Sequence, residues 1–186
     1  RSTLAGLIGA DPAEIVFTAG GSEADNLAIR GIALAHSQAG PVRVITQATE
    51  HPAVLETCRA LQRLHGVQVT YLPVDRDGRV DPAALADALT PGTVLVSIMA
   101  ANNETGVLQP ITELAAIAHA RGVPFHTDAA QAAGKIPIDA RAWDVDLLTI
   151  AGHKMYAPKG IGALYVRSGV LEPLVYGGGQ ERGLRA

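Results

Sequence analysis

The regular alternation of short apolar runs with longer segments of helical spacing most constrains the fold of this chain. The runs that predict strands cover residues 14–17, 42–46, 67–72, 93–99, 123–127, 147–150 and 161–166. Helical patterns occupy 1–9, a segment opened by Ser22 as its N-cap, 52–65, a segment opened by Asp81-Pro82, and 111–121. Run 93–99 (TVLVSIM) is continuously apolar, as expected of a strand buried on both faces. We therefore predict an α/β fold, with a mostly parallel sheet in three α/β/α layers and right-handed crossovers.

The composition is that of an ordinary globular chain. Of 186 residues, 48% are hydrophobic and 18% charged, which argues against disorder. The net charge of −3 argues against a nucleic-acid partner. Cys58 is the only cysteine, so no internal disulfide is possible, and no run of about 18 apolar residues predicts a membrane span. We expect a cytoplasmic protein without a membrane partner.

Both ends of the sequence suggest a piece of a longer protein. The chain starts at Arg1 inside a helical pattern and stops just after a glycine-rich stretch. We expect residues 1–168 to form one N-terminally truncated large domain. Residues 169–186 are expected to begin the connection to a C-terminal domain.

Polar clusters follow five of the predicted strands. In open α/β sheets, ligands bind beyond the carboxyl ends of the strands. The segments concerned are TAGGSEADN, QATEHP, the group around Asn103, the group from Asp128 to Gln131, and GHKMYAPKG. The sequence therefore predicts a functional site at this edge of the sheet.

Several common sites are excluded by their missing motifs. The sequence has no GxGxxG after a strand and no GxxxxGK[ST], which argues against a nucleotide-binding module. Neither HExxH nor CxxC is present, so a zincin or thiolate metal site is unsupported, and there is no GxSxG nucleophile elbow. We predict no metal.

The remaining polar residues fit pyridoxal phosphate chemistry. This cofactor needs a Schiff-base lysine and an acid facing its pyridine nitrogen, for which Lys154 and Asp128 are the candidates. The Gly20-Gly21-Ser22 turn, opening a helix, offers a phosphate cradle. Three further side chains suit the cofactor ring, His51 by stacking and Asn103 and Gln131 by hydrogen bonding to its hydroxyl oxygen.

Six collinear segments then resemble one family. They are TAGGSEADNLAIRG, TEHPAVLETC, NNETGVLQPI, HTDAAQAAGKIPID, AGHKMYAPKGIGALYVR and GGGQERGLR. Together they resemble the NifS/IscS-like cysteine desulfurases, in the class V aminotransferase group of fold-type I pyridoxal phosphate enzymes. The resemblance extends over nearly the whole chain, in order and with compatible spacing.

The resemblance implies a role for each candidate residue. Lys154 would carry the cofactor, and His51 would stack on the ring and move protons, which makes these two the catalytic candidates. The implied cofactor-binding set is Gly21, Ser22, His51, Asn103, Asp128, Gln131, His153 and Lys154, with Gly21, Ser22 and His153 at the phosphate. Ala151 departs from the pattern, because the family has a serine there that binds the phosphate.

The implied reaction converts L-cysteine to L-alanine and passes the sulfur to a protein cysteine. Sulfur then reaches an acceptor or scaffold protein for iron–sulfur cluster assembly. The family's catalytic cysteine and its carboxylate-binding arginine lie beyond residue 186, and Cys58 does not match that cysteine. We therefore expect no desulfurase turnover from this chain alone, and a homodimer in the intact protein. The alternatives are a selenocysteine lyase, an aminotransferase, or a non-catalytic scaffold with this fold.

Overall fold

Seven strands form one sheet in the computed structural model, which describes residues 1–37 and 40–186. The strands are β1 (Ile15–Thr18), β2 (Arg43–Gln47), β3 (Gln68–Leu72), β4 (Thr93–Ser97), β5 (Phe125–Asp128), β6 (Leu147–Ala151) and β7 (Gly162–Val166). Their order across the sheet is β1-β7-β6-β5-β4-β2-β3. Strand β7 runs antiparallel to both neighbours, and the other pairings are parallel. The predicted mostly parallel sheet is confirmed.

Helices cover both faces of the sheet. They are α1 (Ser2–Leu7), α2 (Gly21–Ala35), α3 (Pro52–His65), α4 (Pro82–Ala88) and α5 (Ile111–His119). Apolar residues of α2 and α3 pack with Val44 and Leu147 in one core cluster. Those of α1, α4 and α5 pack with Ile45 and Leu148 in a second cluster. Successive strand residues thus alternate between two cores, which gives the predicted three layers.

Ser22 does not cap α2, so that prediction is wrong. Gly20 is the N-cap, and the helix begins at Gly21, so the backbone of Ser22 is already helical. The Glu23 carboxylate accepts from the Ala19 N–H at 2.9 Å, and this bond secures the turn from β1 into the helix. The Ser22 side chain is consequently exposed at the first turn.

Three other elements end earlier than their patterns predict, and the first is α1, which stops at Leu7 instead of residue 9. Strand β4 stops at Ser97 instead of residue 99, and α5 stops at His119 instead of residue 121. Beyond Ser97 the backbone still donates to β5, from the Ile98 N–H to the His126 carbonyl at 3.0 Å and from the Ala100 N–H to the Asp128 carbonyl at 2.9 Å, and Ile98 and Met99 remain buried. Among the described residues, no helix combines the length and apolar character needed to cross a bilayer.

The topology brings the polar loops to one edge. Strands β1 and β6 both run antiparallel to β7, so the carboxyl end of β1 lies at the same edge as that of β6. The parallel strands β5, β4 and β2 end there too. The turn into α2, the loop before α3 and the segment after β6 therefore meet at this edge.

Candidate active site

A cavity of about 470 Å³ lies at this edge of the sheet. The structure brings all eight predicted site residues to its wall: Gly21, Ser22, His51, Asn103, Asp128, Gln131, His153 and Lys154. Asp25, Met99 and Ala151 also line it. Residues separated by up to 133 positions in the sequence thus share one cavity, as the strand-end argument predicts.

Close backbone packing builds the turn at the start of α2. A Cβ on Gly162 of β7 would stand 2.6 Å from the Gly20 carbonyl carbon, so glycine at 162 lets this turn lie against the sheet. The first intrahelical bond runs from the Ala24 N–H to the Gly20 carbonyl at 3.1 Å. The N–H groups of Gly21, Ser22 and Glu23 precede that bond and remain available for an anion.

Gly21 and Ala151 face each other across this part of the wall. A Cβ on Gly21 would lie 3.1 Å from the Ala151 Cβ. The helix start thus packs closely against the end of β6, and neither residue offers a side-chain hydrogen-bond donor. Polar side chains near this point of the wall come from Ser22 and His153, which are both exposed to solvent in the open cavity.

His51 combines a structural role with its place in the cavity. It is the N-cap of α3, and its Nδ1 accepts a hydrogen bond from the Ala53 N–H at 3.1 Å. A neutral imidazole that accepts at Nδ1 carries its proton on Nε2. The cap therefore fixes the ring orientation and the tautomer of a residue that lines the cavity.

The loop that carries Asn103 is held by its neighbour Asn102. The Asn102 Oδ1 accepts from the Glu104 and Thr105 N–H groups, both at 2.9 Å. Its Nδ2 donates to the Thr49 carbonyl at 3.0 Å, which ties the loop to the segment before His51. Asn102 thus shapes this turn, and Asn103 is left exposed at the cavity.

Gln131 is oriented by Lys135. The Lys135 ammonium donates to the Gln131 Oε1 at 2.6 Å. Lysine only donates, so this contact selects the amide oxygen and leaves the Gln131 Nε2 group as the free donor. Gln131 therefore presents N–H groups to a ligand at the cavity wall.

Lys154 lies in a short 3-10 helix, Gly152–Met155, that directly follows β6. The tight turn requires Gly152, because a Cβ there would stand 2.7 Å from the Ile161 carbonyl oxygen. Lys154 is half-buried, and among the described residues its ammonium forms no salt bridge within 4.0 Å. Its positive charge nevertheless acts on Asp128 and partly offsets the rise in pKa that burial causes in that carboxyl.

Asp128 ends β5 and is 5% exposed. Its Oδ1 accepts from the Ala130 N–H at 2.8 Å. Burial raises the pKa of Asp128, while the Ala130 hydrogen bond and the charge of Lys154 act in the opposite direction. A cation held in the cavity would further favour the ionised carboxylate.

The sequence analysis missed three buried ionisable residues beside this cavity. Asp25 of α2 and Glu50 are 2% and 5% exposed, and His126 of β5 is fully buried. Burial and the charge of Asp128 raise the pKa of both carboxyls well above their usual range. His126 and Asp128 are two positions apart on one strand, so their side chains lie on the same face of the sheet. This HxD spacing could have predicted from the sequence that His126 lies near the site.

Cys58 is fully buried in α3. Burial and the nearby Glu50 raise the pKa of its thiol to about 12. A thiol with so high a pKa and no exposure is a poor nucleophile. The prediction that Cys58 does not act as the sulfur acceptor agrees with this environment.

The comparisons with known proteins point to one family. A model of the class V aminotransferases matches residues 1–184. The chain is 53% identical to a mitochondrial cysteine desulfurase of Arthroderma benhamiae, over 100% of this chain and 38% of that protein. It is 51% identical to the cysteine desulfurase IscS of Rickettsia rickettsii, over 100% of this chain and 46% of that protein. The chain thus spans less than half the length of these curated relatives.

Solved structures agree with the fold. A protein described as SspA in complex with cysteine has a TM-score of 0.95 at 45% identity, over 100% of this chain and 54% of that one. A NifS-like protein has a TM-score of 0.94 at 40% identity, over 100% of this chain and 51% of that one. The predicted resemblance to NifS/IscS-like cysteine desulfurases is confirmed. The chain therefore belongs to the class V aminotransferase family, whose members are pyridoxal phosphate-dependent enzymes.

Proposed function

We propose that this chain forms the cofactor-binding half of a cysteine desulfurase, which converts L-cysteine to L-alanine and passes the sulfur to a protein cysteine. The observation that carries the proposal is the single cavity that joins Lys154, a buried Asp128 and the start of α2. The relatives named cysteine desulfurase support the choice of reaction. The protein described in complex with cysteine supports the choice of substrate.

The residues present fit pyridoxal phosphate. Asp128 is a buried carboxylate in a cavity whose one lysine is Lys154, which matches the acid and amine that this cofactor requires. The three unbonded N–H groups at the start of α2, with Ser22 and His153, would hold the phosphate.

Each residue then has a task in the mechanism. Bound pyridoxal phosphate supplies an electron sink for negative charge that develops on the α-carbon of the substrate. Asp128 would hold a proton on the ring nitrogen, and the Gln131 Nε2 and Asn103 side chains would donate to the ring oxygen. His51 would stack on the ring and carry a proton at Nε2. Lys154 would hold the cofactor through its amine and accept or return protons at Nζ.

The remaining assignments form part of the same proposal. Residues 1–168 would be the cofactor-binding large domain, and 169–186 the start of a connection to a further domain. The sulfur-accepting cysteine would be another residue than Cys58, because that thiol is buried with a raised pKa. The intact protein would act as a cytoplasmic homodimer, and deliver sulfur to an acceptor or scaffold protein for iron–sulfur cluster assembly.

The test begins with the purified chain and added pyridoxal phosphate. We expect a visible absorption band, and reduction with borohydride should leave the cofactor attached to the Lys154 peptide in a mass spectrum. Lys154→Ala should lack both signals. Lys159→Ala, which removes an exposed lysine of the same loop, is the matched control and should retain them.

The choice of substrate is tested by adding amino acids to the loaded protein. L-cysteine should perturb the visible band, whereas a stronger response to L-selenocysteine would favour a lyase for that substrate. No band in the wild type or in Lys159→Ala would contradict the cofactor assignment and favour the non-catalytic scaffold.

A further inference from the structure

Below the cavity, the face of the sheet that packs on α2 carries a row of buried polar side chains. The His126 ring lies 2.8 Å from the Ser97 Oγ through Nδ1 and 3.0 Å from the Thr149 Oγ1 through Nε2. The Asp25 Oδ1 lies 3.8 Å from the His126 Nε2, beyond hydrogen-bond distance, and has no hydrogen-bond partner among the described residues. These side chains connect the centre of the sheet to the carboxyl that lines the cavity.

Three buried carboxyls share this region without a paired cation. Asp25, Glu50 and Asp128 interact electrostatically with one another. Within the described part of the chain, no lysine or arginine forms a salt bridge with any of them. An unpaired buried carboxylate is so costly that such a group takes up a proton instead, and neighbouring carboxyls cannot all ionise.

The contacts decide which carboxyl keeps its charge. The Asp128 Oδ1 accepts from the Ala130 N–H at 2.8 Å, and the positive charge of Lys154 favours the ionised form of this carboxyl. The Glu50 Oε1 accepts from the Met99 N–H at 2.6 Å, but its Oε2 has no partner among the described residues. The Asp25 Oδ1 has no partner among the described residues, and burial and the charge of Asp128 outweigh a side-chain hydrogen bond with Thr149, so this carboxyl takes up a proton.

We propose that Asp25 is a positioning residue for Asp128: a buried, protonated carboxyl that leaves the negative charge of this region on Asp128. This inference rests on the proposed cofactor site. An ionised Asp25 would repel the charge on Asp128 and favour its protonation, which would remove the carboxylate that faces the ring nitrogen. A protonated Asp25 fills the same space at no such cost.

The ionisable groups that face Asp25 are few. From β5 they are His126 and Asp128, and from the segment before α3 the group is Glu50. Burial lowers the pKa of His126 to about 3, so the imidazole is neutral at physiological pH and does not compensate an ionised Asp25. Burial and the charge of Asp128 thus favour the un-ionised form of Asp25, and they outweigh a side-chain hydrogen bond with Thr149 that opposes it.

The first test uses the cofactor-free chain. The unfolding equilibrium constant is measured between about pH 5 and pH 8 for wild type, Asp25→Asn and Asp87→Asn, an exposed aspartate of α4 that serves as control. A folded-state pKa above the unfolded value of about 3.9 means that stability is lost as pH rises toward the folded-state pKa. In the wild type, the ionisation of Asp25 should weaken folding by up to about tenfold per pH unit. Asp25→Asn should lack this part of the pH dependence, whereas Asp87→Asn should retain it.

The second test uses the cofactor. Asparagine preserves a neutral side chain of similar size. We expect Asp25→Asn to bind pyridoxal phosphate within about twofold of the wild type, because a side chain that cannot ionise leaves the negative charge on Asp128. Cofactor binding by the wild type tests the proposed cofactor site, whereas the measurement without cofactor tests only the protonation of Asp25. A failure of the proposed function can therefore be told apart from a failure of this inference.

Either of two results would overturn the inference. One is an Asp25→Asn chain whose stability depends on pH as steeply as that of the wild type. The other is an Asp25→Asn chain that binds cofactor at least about tenfold more weakly than the wild type. If Asp25→Asn does not fold, labelling with carboxyl ¹³C-aspartate decides by infrared spectroscopy: a band of un-ionised aspartic acid at pH 7 in both the wild type and Asp128→Asn supports the inference, and its absence refutes it.

Discussion

Single side chains at this cavity serve the fold and the site together. His51 caps α3 through Nδ1, and that bond leaves the proton on the nitrogen that can face a ligand. Gln131 is turned by Lys135, and Asn103 is carried by the turn that Asn102 closes. Local hydrogen bonds thus determine which polar atom each residue offers.

Ala151 lines the cavity without offering a hydroxyl, at the position where the family resemblance implies a serine. Its Cβ lies beside Gly21 at the start of α2, next to the proposed phosphate position. We predict that Ala151→Ser tightens pyridoxal phosphate binding up to about tenfold, because a hydrogen bond to a charged group contributes about 1.5–3 kcal/mol before the cost of ordering the side chain. The dissociation constant, measured from the visible band, checks this.

Ala142→Ser is the control for Ala151→Ser, since Ala142 is exposed in a turn away from the cavity. It should leave the dissociation constant at its wild-type value. Unchanged or weaker binding in Ala151→Ser would mean that the backbone N–H groups, Ser22 and His153 already saturate the phosphate.

The turn between β1 and α2 depends on a glycine in another strand. We predict that Gly162→Ala lowers the free energy of unfolding by about 1–3 kcal/mol, as overpacking does. The added Cβ would meet backbone atoms of Gly20 at 2.6 and 2.7 Å and the Ile150 carbonyl oxygen at 2.8 Å, and no side-chain rotation relieves these contacts. Urea unfolding checks the stability, and the same variant should bind cofactor more weakly because the helix start is displaced.

Gly6→Ala provides the matched control for Gly162→Ala. Gly6 lies in α1, and an added Cβ meets no described heavy atom within 4 Å, so this change should be neutral or stabilising by up to about 1 kcal/mol. Equal stability of Gly162→Ala and wild type would show that the turn can shift without cost.

The spacing of apolar residues predicted the ends of the strands and helices to within one or two residues. It did so because the residues that face each core must be apolar and recur with the period of the strand or helix. It did not predict the antiparallel direction of β7. The connection between β6 and β7 covers residues 152–161, which is shorter than the crossover a parallel pair needs, and this length was the available signal. The cap at Gly20 and the buried Asp25 escaped notice because both depend on contacts with distant strands.

The two edges of the sheet carry different kinds of polar group. At the edge opposite the cavity, His119 of α5 contacts Asp144 at 3.0 Å and Asp146 at 2.7 Å. The Arg167 guanidinium contacts the same two carboxylates at 2.6 and 2.9 Å. Here each acid has a cationic partner, whereas the acids beside the cavity do not. The ion pairs at the opposite edge thus stabilise the fold, whereas the ionisable groups beside the cavity remain available to interact with a ligand.

The paired edge predicts a specific pH dependence of stability. Burial alone would lower the pKa of His119, but hydrogen bonds to Asp146 and Asp144 raise it overall. Because this folded-state pKa exceeds the unfolded value of about 6.5, the contribution of His119 is complete below that pH and is lost as pH rises through the folded-state pKa. His119→Gln should therefore cost about 0.5–1 kcal/mol near pH 6 and progressively less at higher pH, since the site is partly exposed.

Urea unfolding at several pH values measures this cost. His65→Gln, which changes an exposed histidine in the last turn of α3, is the control and should show no comparable pH-dependent loss. Below about pH 4 the loss should shrink again, because Asp144 and Asp146, whose pKa values are lowered by their partners, begin to take up protons as their folded-state pKa values are approached. A cost that stays constant from pH 6 upward would show that His119 acts through packing and not through its charge.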